Sequence, residues 1–164
     1  MKKILGNVAL SKNCTTAIFK ISRTTKLPGL LDSVADAKRA EQVYFDSTQM
    51  MEWPRLIDTI QSKLNFKSTT NRGYDFGLDA LLDCMRDVID NSPNGLILIF
   101  RNSDKILERD RTHDFWRFYS VLGGIADYAS QTINDGEWWD RDPRYFKVVL
   151  ETSDRLPVPE ILFS

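Results

Sequence analysis

The sequence predicts an α/β fold: a small, mainly parallel three-stranded sheet with helices packed on it, and an N-terminal extension able to add a strand. Three observations carry this. Leu96-Ile97-Leu98-Ile99-Phe100 is apolar at every position, as in a strand covered on both faces within a parallel sheet. Elsewhere, apolar residues recur at intervals of three and four, the spacing of amphipathic helices. The segments follow one another as strand, helix, helix, strand, helix, strand, an order that builds a parallel sheet through helical crossovers.

The elements follow in order. Thr16-Ala17-Ile18-Phe19-Lys20-Ile21 reads as a strand, broken by Leu27-Pro28-Gly29. Leu30 to Ala40 reads as a short helix, and Val43-Tyr44-Phe45 as a strand closed by Asp46-Ser47-Thr48. Glu52 to Leu64 is a helix with Pro54 in its first turn, where the missing N–H costs nothing, and with Trp53, Leu56, Ile57, Ile60 and Leu64 at helical spacing. A polar loop, Asn65 to Asn71, continues through Arg72-Gly73-Tyr74. A second helix begins at Asp75 or Leu78, runs to Ile89 and stops at the turn signal Asn91-Ser92-Pro93-Asn94-Gly95. After the strand Leu96 to Phe100 comes a loop to Arg111. Thr112 then reads as the N-cap of a third helix, with Asp114 in its first turn, running through Phe115, Phe118, Tyr119, Leu122 and Ile125 to about Ser130. Gly123-Gly124 lies inside it at about 1 kcal/mol per glycine, which points to close packing or a bend. Residues 132–144 are a loop, Tyr145 to Leu150 is the last strand, and Pro157 and Pro159 keep the tail extended.

Composition bounds the function. The 164 residues are 42% hydrophobic and 27% charged, ordinary for a globular chain with a core of its own. The net charge of −1 is a sum of unlike parts. Residues 1–40, the extension, hold eight basic residues and two acids, net +6, while residues 41–164, the main domain, hold 14 and 21, net −7. An acidic body argues against direct nucleic-acid binding, which needs clustered Lys and Arg, and suits a basic protein partner. No run approaches the roughly 18 apolar residues of a membrane span. The start, MKKILGNVALSKNC, imitates a signal peptide, but its apolar stretch is interrupted by Gly6 and Asn7, and no small-x-small cleavage site follows. It reads as part of the mature chain. Cys14 and Cys84 read as buried free thiols, which fits a reducing cytoplasm.

The segment that carries most information is the second helix. Asp75, Asp79, Asp83 and Asp87 are spaced by four and form one stripe, which Asp90 extends by three. Like charges at that spacing destabilise a helix by about 0.2–0.5 kcal/mol per pair. Arg86 is the only cation among residues 73–100. Leu78, Leu81, Cys84, Met85, Val88 and Ile89 form the core-facing stripe. The acids are therefore a solvated face, a site for a cationic partner, or a metal site. The last lacks a histidine and lies along a line rather than converging. Catalysis has little else to rest on: His113 is the single histidine, and there is no phosphate loop. Trp138-Trp139 cannot easily share one core face, so one of them packs over the sheet or contacts a partner.

Gly73-Tyr74-Asp75-Phe76-Gly77-Leu78-Asp79-Ala80-Leu81-Leu82-Asp83-Cys84-Met85 resembles the barstar family of intracellular ribonuclease inhibitors, most closely over Leu78 to Cys84. The flanking elements agree over about residues 42–151. The resemblance implies a three-stranded barstar-like sheet and no enzyme activity, cofactor or metal. It implies a cytoplasmic bacterial immunity protein that occludes the active site of a cognate toxin nuclease, a ribonuclease, in a 1:1 heterodimer. Toxin–antitoxin and contact-dependent growth-inhibition systems contain such pairs. By position, Asp79 and Asp83 match the two helix aspartates that stand in for RNA phosphates, with Asp83 the principal contact and Asp75 and Asp87 flanking them. Tyr74 matches a contacting aromatic in the preceding loop, Leu82 stands where the family pattern has a tryptophan, and Asp127 falls near a further acidic contact. Trp138 and Trp139 are possible additional contacts within a loop longer than the family needs. Two alternatives remain: a metal-dependent enzyme using Asp75, Asp79, Asp83 and Asp87, and a non-inhibitory barstar-fold adaptor.

Overall fold

A computed structural model describes residues 18–22, 27–33, 35–65, 77–136 and 140–153. Tyr74, Asp75, Cys14, Trp138, Trp139, the start of the first expected strand and the proline tail lie outside the described residues. Four strands, β1 (Ile18–Ser22), β2 (Glu41–Asp46), β3 (Leu96–Arg101) and β4 (Phe146–Thr152), form one sheet in the order β1-β4-β3-β2, parallel throughout. Five helices accompany them: α1 (Leu27–Ser33), α2 (Ala35–Arg39), α3 (Trp53–Leu64), α4 (Leu78–Asp90) and α5 (Thr112–Ser130). The sheet therefore has four strands, not the three expected. The fourth comes from the N-terminal extension, where Ile18 pairs with Val148 and Ser22 with Thr152.

Both faces of the sheet are covered, which accounts for the uninterrupted apolar run of β3. On one face Val43, Phe45, Leu98, Phe100, Val148 and Leu150 meet Leu56, Ile57 and Ile60 of α3, Leu81, Met85 and Ile89 of α4, and Phe118, Val121, Leu122 and Ile125 of α5. Phe45 stacks on Phe100 at 4.7 Å between ring centres, and Phe100 meets Phe118 edge-on at 5.9 Å. On the other face Phe19, Ile21, Ile97, Ile99 and Val149 pack with Leu27 and Leu31 of α1 and Ala37 and Ala40 beyond. Each fully buried side chain of this size contributes about 1.5–3 kcal/mol, so the second face is a substantial part of the core.

Local chemistry sets the ends of the elements. Leu27-Pro28-Gly29, expected only as a break after the strand, forms the first turn of α1, where proline's missing N–H is harmless. Asp46 caps a short 3₁₀ turn, Ser47–Gln49: its carboxylate accepts from the Thr48 hydroxyl at 2.8 Å and then from the Thr48 amide at 3.1 Å, which holds its pKa below the usual carboxylate value. The amide of Trp53, at the start of α3, donates to the Asp110 carboxylate at 2.7 Å. α5 begins one residue earlier than Thr112 as N-cap implies. Arg111 is the cap residue, and its amide donates to the Asp114 carboxylate at 3.3 Å.

Gly95 stands where the fold leaves no room for a side chain. Its φ is +89°, and a Cβ there would lie 2.4 Å from the carbonyl oxygen of Tyr145. The close approach lets the Gly95 carbonyl accept from Glu41 N–H at 3.0 Å while Leu96 N–H donates to the Tyr145 carbonyl at 2.8 Å. Three strands are thereby aligned at one end of the sheet.

Candidate functional site

α4 is amphipathic because its two stripes differ in kind. Leu81, Met85 and Ile89, spaced by four, are buried at 2% exposure or less, and Leu78, Leu82 and Val88 flank them half-buried. Asp79, Asp83 and Asp87 occupy the opposite, exposed side. Cys84, expected within the core-facing stripe, is a free thiol at the boundary and only half-buried. Burial raises its pKa, and the carboxylates of Asp87 and then Asp83 add to the rise.

The three carboxylates are almost unengaged. Asp79 and Asp87 make no side-chain hydrogen bond or ion pair to any described residue. Asp83 accepts from Arg86 at 3.1 Å, but its side chain is 73% exposed, so the pair contributes no more than about 1 kcal/mol and exchanges readily for another cation. Asp79 lies in the first turn, favourably placed against the helix dipole. Asp83 and Asp87 have no such compensation. Asp127 on α5 also presents an exposed carboxylate without a described partner.

Asp90, which continues the row in sequence, leaves it in space. Its carboxylate accepts from the Tyr128 hydroxyl at 2.7 Å and from Arg141 Nε at 2.6 Å. The Arg141 side chain is 4% exposed, donates also to the carbonyls of Gln131 and Tyr128, and lies 4.6 Å from the Tyr128 ring centre. Burial, then the hydrogen bond to Asp90, raises the Tyr128 pKa. This network ties α4, α5 and the 132–144 loop together, and a bridge between Ile133 and Arg141 closes that loop's base. Sequence reasoning missed it. Its only local sign is an arginine set between Asp140 and Asp142.

Leu82 is turned toward α5, where its Cδ1 lies 3.7 Å from the Cβ position of Gly124. The same pair of helices is joined by Arg86 over the Tyr128 ring at 5.2 Å. The structure thus sets α4, which carries Asp79, Leu82 and Asp83, beside α5, which carries Asp127. Among the described residues, no three His, Cys, Asp or Glu side chains are grouped to hold a metal ion. A groove of about 620 Å³ runs along α3, lined by Thr48, Glu52, Arg55, Thr59, Lys63 and Arg109 among others, with no residue of the Asp row in its wall. No helix among the described residues is long and apolar enough to cross a membrane.

Comparison with known proteins bears on this arrangement at two levels. A Walker-type ATPase of Pyrococcus abyssi is similar in structure, with a TM-score of 0.50 at 13% identity over 93% of this chain and 44% of that one. This chain therefore spans less than half of that protein, and the likeness concerns the fold alone. No curated protein matches the chain. The family model described as Barstar (barnase inhibitor) matches residues 40–151, a span from the residue before β2 to the last but one of β4 that includes the whole Asp row. That match takes in more than half of the chain, which therefore belongs to the barstar family.

Proposed function

We propose that this chain is a cytoplasmic immunity protein that binds a cognate toxin nuclease, a ribonuclease, and occludes its active site in a 1:1 complex. The observation that carries the reading is the exposed row Asp79, Asp83 and Asp87 on α4, nearly unengaged among the described residues, in a chain of a family described by its inhibition of barnase. A ribonuclease active site presents cations shaped to receive phosphates. A row of carboxylates on a rigid helix offers the same charge in a form that cannot be cleaved. Long-range attraction brings the acidic body to a basic enzyme, and contact pairs then exclude RNA. The barnase–barstar pair is itself the reference case for such coupling, so the large single-residue effects expected here come from the family rather than from this geometry. No chemistry is required of the inhibitor, and it needs no cofactor. Tyr74, Asp75 and Asp127 join the contact, with Leu82 as its apolar neighbour.

The experiment is co-purification with the full chain as bait for a basic nuclease, followed by RNA cleavage by that nuclease with and without the chain. Stoichiometric loss of cleavage is expected. Undiminished cleavage at an excess of the chain contradicts the reading.

A further inference from the structure

α5 carries a face that its own packing does not explain. Trp116, Ser120, Gly123 and Asp127 stand at intervals of four, three and four, one line along the outside of the helix. Trp116, at 37%, is the one large apolar side chain that is exposed among the described residues. It is held in place, edge-on to Phe115 at 5.4 Å and to Tyr119 at 5.7 Å between ring centres. Gly123 has helical backbone, and a Cβ added there meets nothing within 4 Å. No turn, close approach or positive φ inside the described fold calls for glycine at this point, yet glycine weakens a helix interior. Gly124 differs, because its missing side chain faces Leu82.

A fixed, exposed tryptophan and a bare stretch of backbone are what a closely docking partner uses: one as anchor, the other as room for approach. The line adjoins the Asp row, since α4 and α5 lie side by side through Leu82 and Gly124 and through Arg86 and Tyr128. Its charge matches as well, because Asp127 ends it with an exposed carboxylate. We infer that the Trp116–Gly123–Asp127 line of α5 is the second half of the nuclease-docking surface, seating one basic partner across both helices. The indole meets that partner's guanidinium or ammonium groups. The inference rests on α4 being the docking element, and its test separates the two.

Affinity for the basic nuclease that co-purifies with the chain is measured by titration calorimetry for the full chain and for Asp83→Ala, Trp116→Ala and Gly123→Leu, each with a thermal melt. Trp116→Ala is expected to weaken binding about tenfold or more, as for an aromatic hot spot. Gly123→Leu is expected to weaken it similarly while its melting midpoint stays equal or rises, because leucine is the better helix former. Loss in Asp83→Ala with unchanged binding in both α5 variants overturns the inference and leaves the reading of α4 standing. Unchanged binding in Asp83→Ala, or no binding by the full chain, overturns both. A concentration-dependent dimer of the free chain that Trp116→Ala dissolves would assign this face to a second copy and also overturn the inference.

Discussion

At the scale of single residues, position in the network matters more than charge. Asp87 and Asp90 are three apart on one helix, yet one is unengaged among the described residues and the other is bound to a buried arginine 51 residues away. Removing Arg141 leaves the Asp90 carboxylate with the Tyr128 hydroxyl alone and takes a donor from the backbone carbonyls of Tyr128, Gln131 and Asp142. Because Asp90 is itself 38% exposed, Arg141→Met is expected to cost about 2 kcal/mol, below the figure for a fully buried pair, read by urea denaturation. Gly95→Ala forces a Cβ into the Tyr145 carbonyl at positive φ, and a loss of about 2–3 kcal/mol is expected by the same measurement. Cys84 reports the field of the row. Burial, Asp87 and Asp83 all hold its thiol in the neutral form, so neutralising the carboxylates releases thiolate at fixed pH. In a Cys14→Ser background, Asp83→Asn with Asp87→Asn should raise the iodoacetamide rate at pH 8 by about two- to threefold. An unchanged rate would mean that the row does not act on Cys84. Asp90's pairing could not be read from sequence, because nothing local to Asp90 distinguishes it from Asp87.

At the scale of elements, α4 trades stability for an exposed acidic face. Its buried stripe was legible because period 3.6 survives in Leu78, Leu81, Met85 and Ile89. The acidic stripe was equally legible as a pattern, and its exposure follows from the burial opposite. If that face exists for a partner, relieving it should stabilise the free chain. Asp87→Ala removes a like charge four residues from Asp83 and a poor helix former, and should raise stability by about 0.5–1 kcal/mol in a thermal melt. A lower melting point would mean that Asp87 has a structural role. The boundaries of α3, α4 and β3 fell within a residue or two of expectation. α1 was less legible because Pro28 and Gly29 read as breakers, whereas a helix start accepts proline.

At the scale of the whole molecule, charge and architecture divide the chain differently. By charge, residues 1–40 stand apart from the rest, +6 against −7. By packing, β1 closes one side of the sheet, and Phe19 is fully buried in the second core face. That pairing joins residues 18 and 148, and no local signal in a strand names so distant a partner. Phe19→Ala is expected to cost about 3–5 kcal/mol, as for a core aromatic; a loss under 1 kcal/mol would show that the extension is not part of the folded core.

The central claim is that the outward aspartates of α4 hold a nuclease. It is tested most directly by calorimetric titration of the co-purifying nuclease with Asp83→Ala and with Asp58→Ala, an equally acidic, exposed position on α3. Asp83→Ala is expected to weaken binding by about 30-fold or more, the range of an interface hot spot, while Asp58→Ala leaves it within about twofold. Equal losses in the two variants would contradict the claim.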